Sequence, residues 1–315
     1  MTNTQAQQDL NPQPTEPMAL SRTQSHSATE MTGQMRHANP LSSAVMLSHP
    51  EIYVVVRGQA QAFLARFAER PQIGRVFASH QRWLLGQIAL MQYFETGQIV
   101  PARYYDFVDA NGVASRNTAD AFLKEMLTYG VAREISASDR RSRPLVPSEL
   151  SLDSAAGWLE IHLKSLDRFD GGERTRKFTA SGRDMRQMHP LMAAAFMRTP
   201  ELREQPAVFD PFVWLNNGNI IIDWLIANSQ DADNDAAEVS IGVVSIQSMA
   251  ETFHLSRSHL TRKLLDASDM QTIGWKGRRG RSELWVSNEF RREYARAQAV
   301  KLEIIDAACA TCGLF

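Results

Sequence analysis

The stretch Ser115–Pro147, SRNTADAFLKEMLTYGVAREISASDRRSRPLVP, decides how the rest of the chain reads. Ser115 is a helix cap, because its hydroxyl accepts from an amide that the first helical turn leaves unpaired. Over 116–129 the apolar residues Ala119, Phe122, Leu123 and Met126 recur at three- and four-residue spacing, the mark of one buried helix face. Gly130 stops that helix. Val131 to Ser136 then alternates as a strand, Asp139 to Arg143 makes a charged tip, and Leu145-Val146-Pro147 returns. Upstream, residues 79–95 predict a helix with Trp83, Leu84, Ile88 and Met91 on one side, closed by Gly97. Pro101 opens a short helix over 101–110, and Asn111-Gly112 is a turn signal. Downstream, 151–167 predicts a long helix with Ala155, Trp158, Leu159, His162, Leu163 and Leu166 on one face.

The same order returns about 140 residues later. His49-Pro50 is answered by His189-Pro190, Glu69-Arg70-Pro71 by Glu204-Gln205-Pro206, Ser115-Arg116 by Ser256-Arg257, and Arg140-Arg141-Ser142-Arg143 by Arg278-Arg279-Gly280-Arg281. The offsets are 140, 135, 141 and 138 residues, which fits one duplicated unit with small loop changes. In the second copy a strand is predicted at 238–244 and a helix at 246–253, capped by Ser245. A second helix follows at 257–267, capped by Ser256, then strands at 271–276 and 283–287 and a final helix at 288–307. Helix, turn, helix, strand, tip, strand is a winged helix-turn-helix. The expected fold is therefore mainly α with small β-wings: tandem winged helix-turn-helix domains related by a pseudo-twofold and packed through long terminal helices.

The predicted organisation is a disordered tail at 1–45, rich in Gln, Thr, Ser, Asn and Pro, with order beginning near Leu41 to His49. A first winged-helix domain follows at 46–180 (helix-turn-helix 101–129, wing 131–147), then a second at 181–315 (helix-turn-helix 245–267, wing 271–287). The boundary is read near Asp170-Gly171-Gly172-Glu173, with a polar linker running to Gly182. Ser229 to Asp235 reads as an acidic loop.

Composition agrees with two domains, since 315 residues at about 150 per domain gives two. With 43% hydrophobic residues the chain has enough apolar surface for a sizeable core. Lys and Arg total 34 against 35 Asp and Glu, so any nucleic-acid site must be a local patch. Two cysteines exclude a disulfide framework and, with no secretory signal read at the start, suit a cytoplasmic location. No run of 18 apolar residues exists, so no membrane partner is expected. Dinucleotide, P-loop, zinc-protease and nucleophile-elbow motifs are all missing, so no catalytic residue and no cofactor are assigned. No metal is expected either. Cys309-Ala310-Thr311-Cys312 is a lone pair near the end, read as an incidental tail because a zinc site needs four ligands.

Gly130-Val131-Ala132-Arg133-Glu134-Ile135 followed by Ser138-Asp139-Arg140-Arg141-Ser142-Arg143-Pro144-Leu145-Val146-Pro147 resembles the MarR family of bacterial winged-helix regulators. The likeness covers roughly 80–168. Residues 211–308 share the layout but not the motif, since Arg278-Arg279-Gly280-Arg281 lacks the preceding Asp that positions the wing arginine in that family. The resemblance implies a sequence-specific regulator of transcription on double-stranded DNA. It also implies a fused pseudo-dimer, as a monomer or a further homodimer, with its recognition helices about 34 Å apart, one DNA turn. A small-molecule effector between the dimer helices and the DNA-binding lobe is a further implication. Trp83, Trp158, Trp214 and Trp224 are then candidate lining, against the plainer reading of helix–helix core.

The candidate DNA contacts follow from position. A recognition helix presents polar and basic side chains to a groove about 12 Å wide, and a wing arginine reaches phosphate or minor groove. In the first copy these are Ser115, Arg116, Asn117, Thr118 and Lys124 on the helix and Arg140, Arg141 and Arg143 on the wing. In the second they are Ser256, Arg257, Ser258, His259, Arg262 and Lys263, then Arg278, Arg279 and Arg281. Residues 256–281 carry seven basic side chains against two acidic ones. Two other readings keep the fold and change the role: a winged-helix protein-interaction scaffold, which near-zero net charge suits, and a DNA-binding replication initiator.

Overall fold

The computed structural model describes residues 40–77, 79–136, 142–213 and 217–314. It is mainly helical, with two small antiparallel sheets. The chain runs α1 (Ser43–Ser48), α2 (Ile52–Glu69), α3 (Pro71–Val76), α4 (His80–Thr96), α5 (Pro101–Ala110), α6 (Arg116–Thr128), β1 (Ala132–Glu134), β2 (Leu145–Pro147) and α7 (Glu149–Asp170). It continues with α8 (Arg174–Ala180), α9 (Met188–Arg198), α10 (Pro200–Arg203), a single 3-10 turn (Ala207–Phe209), α11 (Asp210–Val213) and α12 (Gly218–Ala227). Then come β3 (Glu238–Val243), α13 (Ile246–Thr252), α14 (Arg257–Asp269), β4 (Ile273–Trp275), β5 (Glu283–Ser287) and α15 (Asn288–Thr311).

Serine sets several helix starts. The hydroxyls of Ser79, Ser115, Ser148, Ser245, Ser256 and Ser287 each accept from the amide three residues on. Each such cap is worth about 1 kcal/mol. Behind them the apolar face of α6 matches the sequence reading, with Ala119, Phe122, Leu123 and Met126 buried; on α14 the buried face is Leu260, Leu264 and Ala267.

In the first sheet β1 pairs with β2, and Ile99 adds a single antiparallel bridge to Leu145. The second sheet has the order β3-β5-β4, all antiparallel, with Ile273 opposite Val286 and Val239 also opposite Val286 from the other side.

Two apolar cores result, and they do not follow chain order. Tyr104, Phe122 and Leu159 are joined by Met192 and Phe196 of α9 and by Leu302 and Ile305 of α15. The second core gathers Ile221, Leu260, Val286 and Phe290 with Ile52, Val56 and Ala60 of α2. So α2, early in the chain, packs on α12, whereas α9, much later, packs on α4. The short helix α1 crosses likewise onto α15, whereas α8 packs on its chain neighbour α7. The long helix α15 spans both cores.

Several local readings need correction. Residues 174–180, read as linker, form α8, and Arg174 within it is buried because Asp167, Asp170 and Asp306 surround its guanidinium. Leu41 to Val45, counted with the tail, belong to the fold: the Leu41 amide donates to Asp306 Oδ2 at 2.7 Å and Ser42 caps α1. Residues 1–39 lie outside the described part of the chain. Cys309 is not in a loose tail but fully buried in α15, with its sulfur 3.7 Å from Met188 Sδ. Among the described residues no helix is long and apolar enough to cross a membrane.

Candidate functional site

The basic cluster of the second half is built on α13, α14 and the β4–β5 hairpin. Phe253 to Ser256 turns the chain between the two helices, with His254 in the left-handed region at φ 53 and the Leu255 amide bonded back to Ala250. Burial of Leu260, Leu264 and Ala267 fixes which side of α14 faces outward. That side carries Arg257, Ser258 and Arg262, all exposed, whereas His259 and Lys263 are half-buried. Ser256 is spent on the cap and on a 2.8 Å contact with the Ser258 hydroxyl. Lys263 pairs with Asp266 at 3.2 Å.

At the hairpin the Arg281 amide closes a turn onto Arg278 O, and Gly280 takes φ +69, a conformation that side-chain-bearing residues rarely adopt. Lys276 pairs with Glu283 at 3.0 Å across the strands. Arg279 sits 5.5 Å from the ring centre of Trp275. Arg257, Arg262, Arg278, Arg279 and Arg281 have no ion pair to any described residue.

The first half differs. Ser115, Arg116, Asn117, Thr118 and Lys124 are exposed along α6. Arg116 pairs with Asp106 of α5 at 2.5 Å and lies 5.5 Å from the Tyr105 ring centre. The Tyr105 hydroxyl donates to Asp120 at 2.7 Å, and Asp120 also holds Lys124 at 2.7 Å. These bonds, from Lys124 first and Tyr105 second, depress the Asp120 carboxyl below its usual range. Burial, then Asp120, pushes the Tyr105 phenol up to about 12. Arg82 pairs with Glu125, and Arg143 with Glu134. Arg140 and Arg141 lie outside the described residues.

A second feature is a cavity of about 310 Å³ along the seam, bordered by α2, α4, α7, α9, α12 and α15. Trp83 and Trp158 line it, with ring centres 6.3 Å apart. Trp224 instead faces a separate hollow beside Leu64 and Phe67, and Trp214 lies outside the described residues. Polar groups converge on the same space. Lys301 Nζ stands 5.1 Å over the Trp83 ring, with one long bond, 3.4 Å, to Gln298 Oε1. Burial lowers its pKa, partly offset by the Asp223 charge. Burial raises the Asp223 carboxyl against the 2.7 Å bond that Tyr294 OH donates to it. Burial also keeps His80 neutral, at about 4, and His189 at about 3. Trp83 Nε1, Gln87 Oε1 and His189 Nδ1 are buried without a hydrogen-bond partner, which costs about 1–3 kcal/mol each.

No family model, no curated protein and no solved structure matches this chain. The geometry therefore stands alone.

Sequence reasoning found the arginine cluster and two cavity tryptophans but missed Lys301, Asp223, Gln87 and Gln298. These four come from α15, α12 and α4, far apart in the chain, and only the fold brings them together. His189, read as a turn residue, is instead buried in the first turn of α9 with its ring 5.3 Å from Phe94. Among the described residues no group of three or more His, Cys, Asp or Glu is placed to hold a metal.

Proposed function

We propose that this chain is a sequence-specific DNA-binding regulator of transcription, of MarR-like type, with two winged-helix units in one polypeptide and no catalytic activity. One observation carries the reading: five arginines on α14 and the β4–β5 hairpin are exposed, with no ion pair to any described residue. Such a cluster is the electrostatic footprint of phosphate contact, because binding releases the counterions condensed on the duplex. The sheet order β3-β5-β4 with α13 and α14 ahead of the hairpin supports a winged helix. The crossing of α2 and α9 between the two cores supports a dimer folded into one chain, since each half lends a helix to the other. A cytoplasmic protein, monomeric as a pseudo-dimer or paired again, fits this role.

The test is binding of the full chain to duplex DNA by fluorescence anisotropy over a salt series. Arg278→Ala with Arg279→Ala weakens binding to all sequences and flattens the slope of log K against log salt by up to about 2. Equal affinity of wild type and variant at every salt concentration overturns the reading.

The seam cavity supports a small-molecule effector. Its walls are largely aromatic and aliphatic, and of the Lys and Arg side chains lining it Arg66 and Arg70 are paired with Asp153, whereas Lys301 has a single long hydrogen bond. A mostly apolar molecule with one acidic group satisfies both. Calorimetry with a panel of aromatic carboxylates tests this: saturable binding to wild type and none to Lys301→Met is expected, and no heat from any member of the panel overturns it.

A further inference from the structure

We propose that only the second half supplies a groove-reading helix: α14 enters the DNA, and α6, its counterpart in chain order, stays off it. The inference rests on the DNA-binding reading and departs from the expectation that both helices read bases. Its ground is how each helix spends its cations.

On α6 they are consumed. Asp106, Arg116, Tyr105, Asp120 and Lys124 form a continuous surface chain, each member joined to the next at the distances given above. For Arg116 to reach a phosphate it must leave Asp106, and the freed carboxylate then faces the same phosphate. Both terms oppose binding. Asp109 adds another exposed acid beside them, so 101–128 holds three basic residues against four acidic ones. Between 101 and 136 Arg103 and Arg133 are the cations without an ion pair to a described residue, and neither is on α6. On α14 Arg257 and Arg262 stand free, and the adjoining hairpin adds four basic residues over 276–281 with no acid among them. Two helices of the same length, both capped by serine, thus differ in free cations: both basic residues of α6 are paired, whereas of the three on α14 only Lys263 is.

It follows that one chain covers one half-site. A pseudo-palindrome then needs two chains, not the two halves of one.

Two double variants separate the possibilities, each measured by anisotropy on one duplex selected by the wild-type chain. Arg257→Ala with Arg262→Ala loses affinity by tens of fold at 0.1 M salt, since each phosphate contact there contributes roughly eightfold through counterion release. Arg116→Ala with Asn117→Ala stays within about twofold. The four side chains are exposed, so folding, checked by circular dichroism, is retained. A gain is expected too: Asp106→Asn with Asp120→Asn frees Arg116 and Lys124 and raises affinity for random duplex several-fold. Comparable losses in the two double variants overturn this inference and leave the DNA reading intact. No loss in either overturns the DNA reading itself.

Discussion

Arg174→Met removes the one cation from a buried cluster that ties four parts of the chain together. The guanidinium reaches Asp306 through Nε at 2.6 Å and Asp170 through both Nη atoms at 2.7 and 2.8 Å, with Asp167 at 3.4 Å. Asp306 also accepts from the Leu41 amide, so the cluster holds the start of the fold against α15. Asp306 is fully buried. Replacing a well-packed buried pair with apolar groups is often neutral, but removing a single partner leaves an uncompensated charge and costs about 3–5 kcal/mol. For a chain of this size that is a fall in melting temperature of roughly 10 °C. The pH dependence distinguishes this mechanism from simple loss of packing. Burial already raises the Asp306 carboxyl, against the bonds from Leu41 and Arg174. Without Arg174 it rises further. A carboxyl with a raised folded-state pKa binds its proton more readily folded than unfolded, so stability falls as pH climbs above the unfolded value and recovers on acidification. The deficit of Arg174→Met, followed by thermal melts in parallel with wild type, is therefore large at pH 7 and smaller at pH 5. A deficit under about 1 kcal/mol, or one equal at both pH values, refutes the reasoning.

Three further outcomes follow from local geometry. A Cβ added at Gly274 would meet Trp285 Cζ2 at 2.2 Å, so Gly274→Ala displaces the indole and destabilises the hairpin by about 1–3 kcal/mol; an unchanged near-ultraviolet spectrum would count against it. Ser256→Ala removes the α14 cap and costs about 1 kcal/mol in urea melts, whereas a change below a few tenths would mean the cap is idle. Burial pushes the Cys309 thiol up to about 12, so at pH 8 a thiol reagent modifies the half-buried Cys312 in the native chain and reaches Cys309 only on unfolding; two fast equivalents in native buffer contradict this.

The elements legible in the sequence were those whose signals are local. Serine caps, terminal Gly97 and Gly130, and apolar spacing gave α4, α5, α6, α13, α14 and both hairpins to within a few residues. The helix α2 escaped because Ile52-Tyr53-Val54-Val55-Val56 is β-branched and aromatic, a composition that favours strands, and α2 is helical through its packing on α12 and α7. The helix α8 escaped because Arg174-Thr175-Arg176-Lys177 is polar, and the acids that bury Arg174 lie at 167, 170 and 306. Exchange of helices between the cores leaves no mark on composition or period at all. The arginine cluster was visible because it is contiguous. The pairing that neutralises α6 was not, since Asp106 belongs to a different helix from Arg116.

Repeated selection of bound sequences from random duplex DNA addresses the central claim most directly. A short duplex motif should rise over the input with the wild-type chain and fail to rise with Arg257→Ala and Arg262→Ala together. A wild-type pool that remains indistinguishable from the starting library would contradict the account.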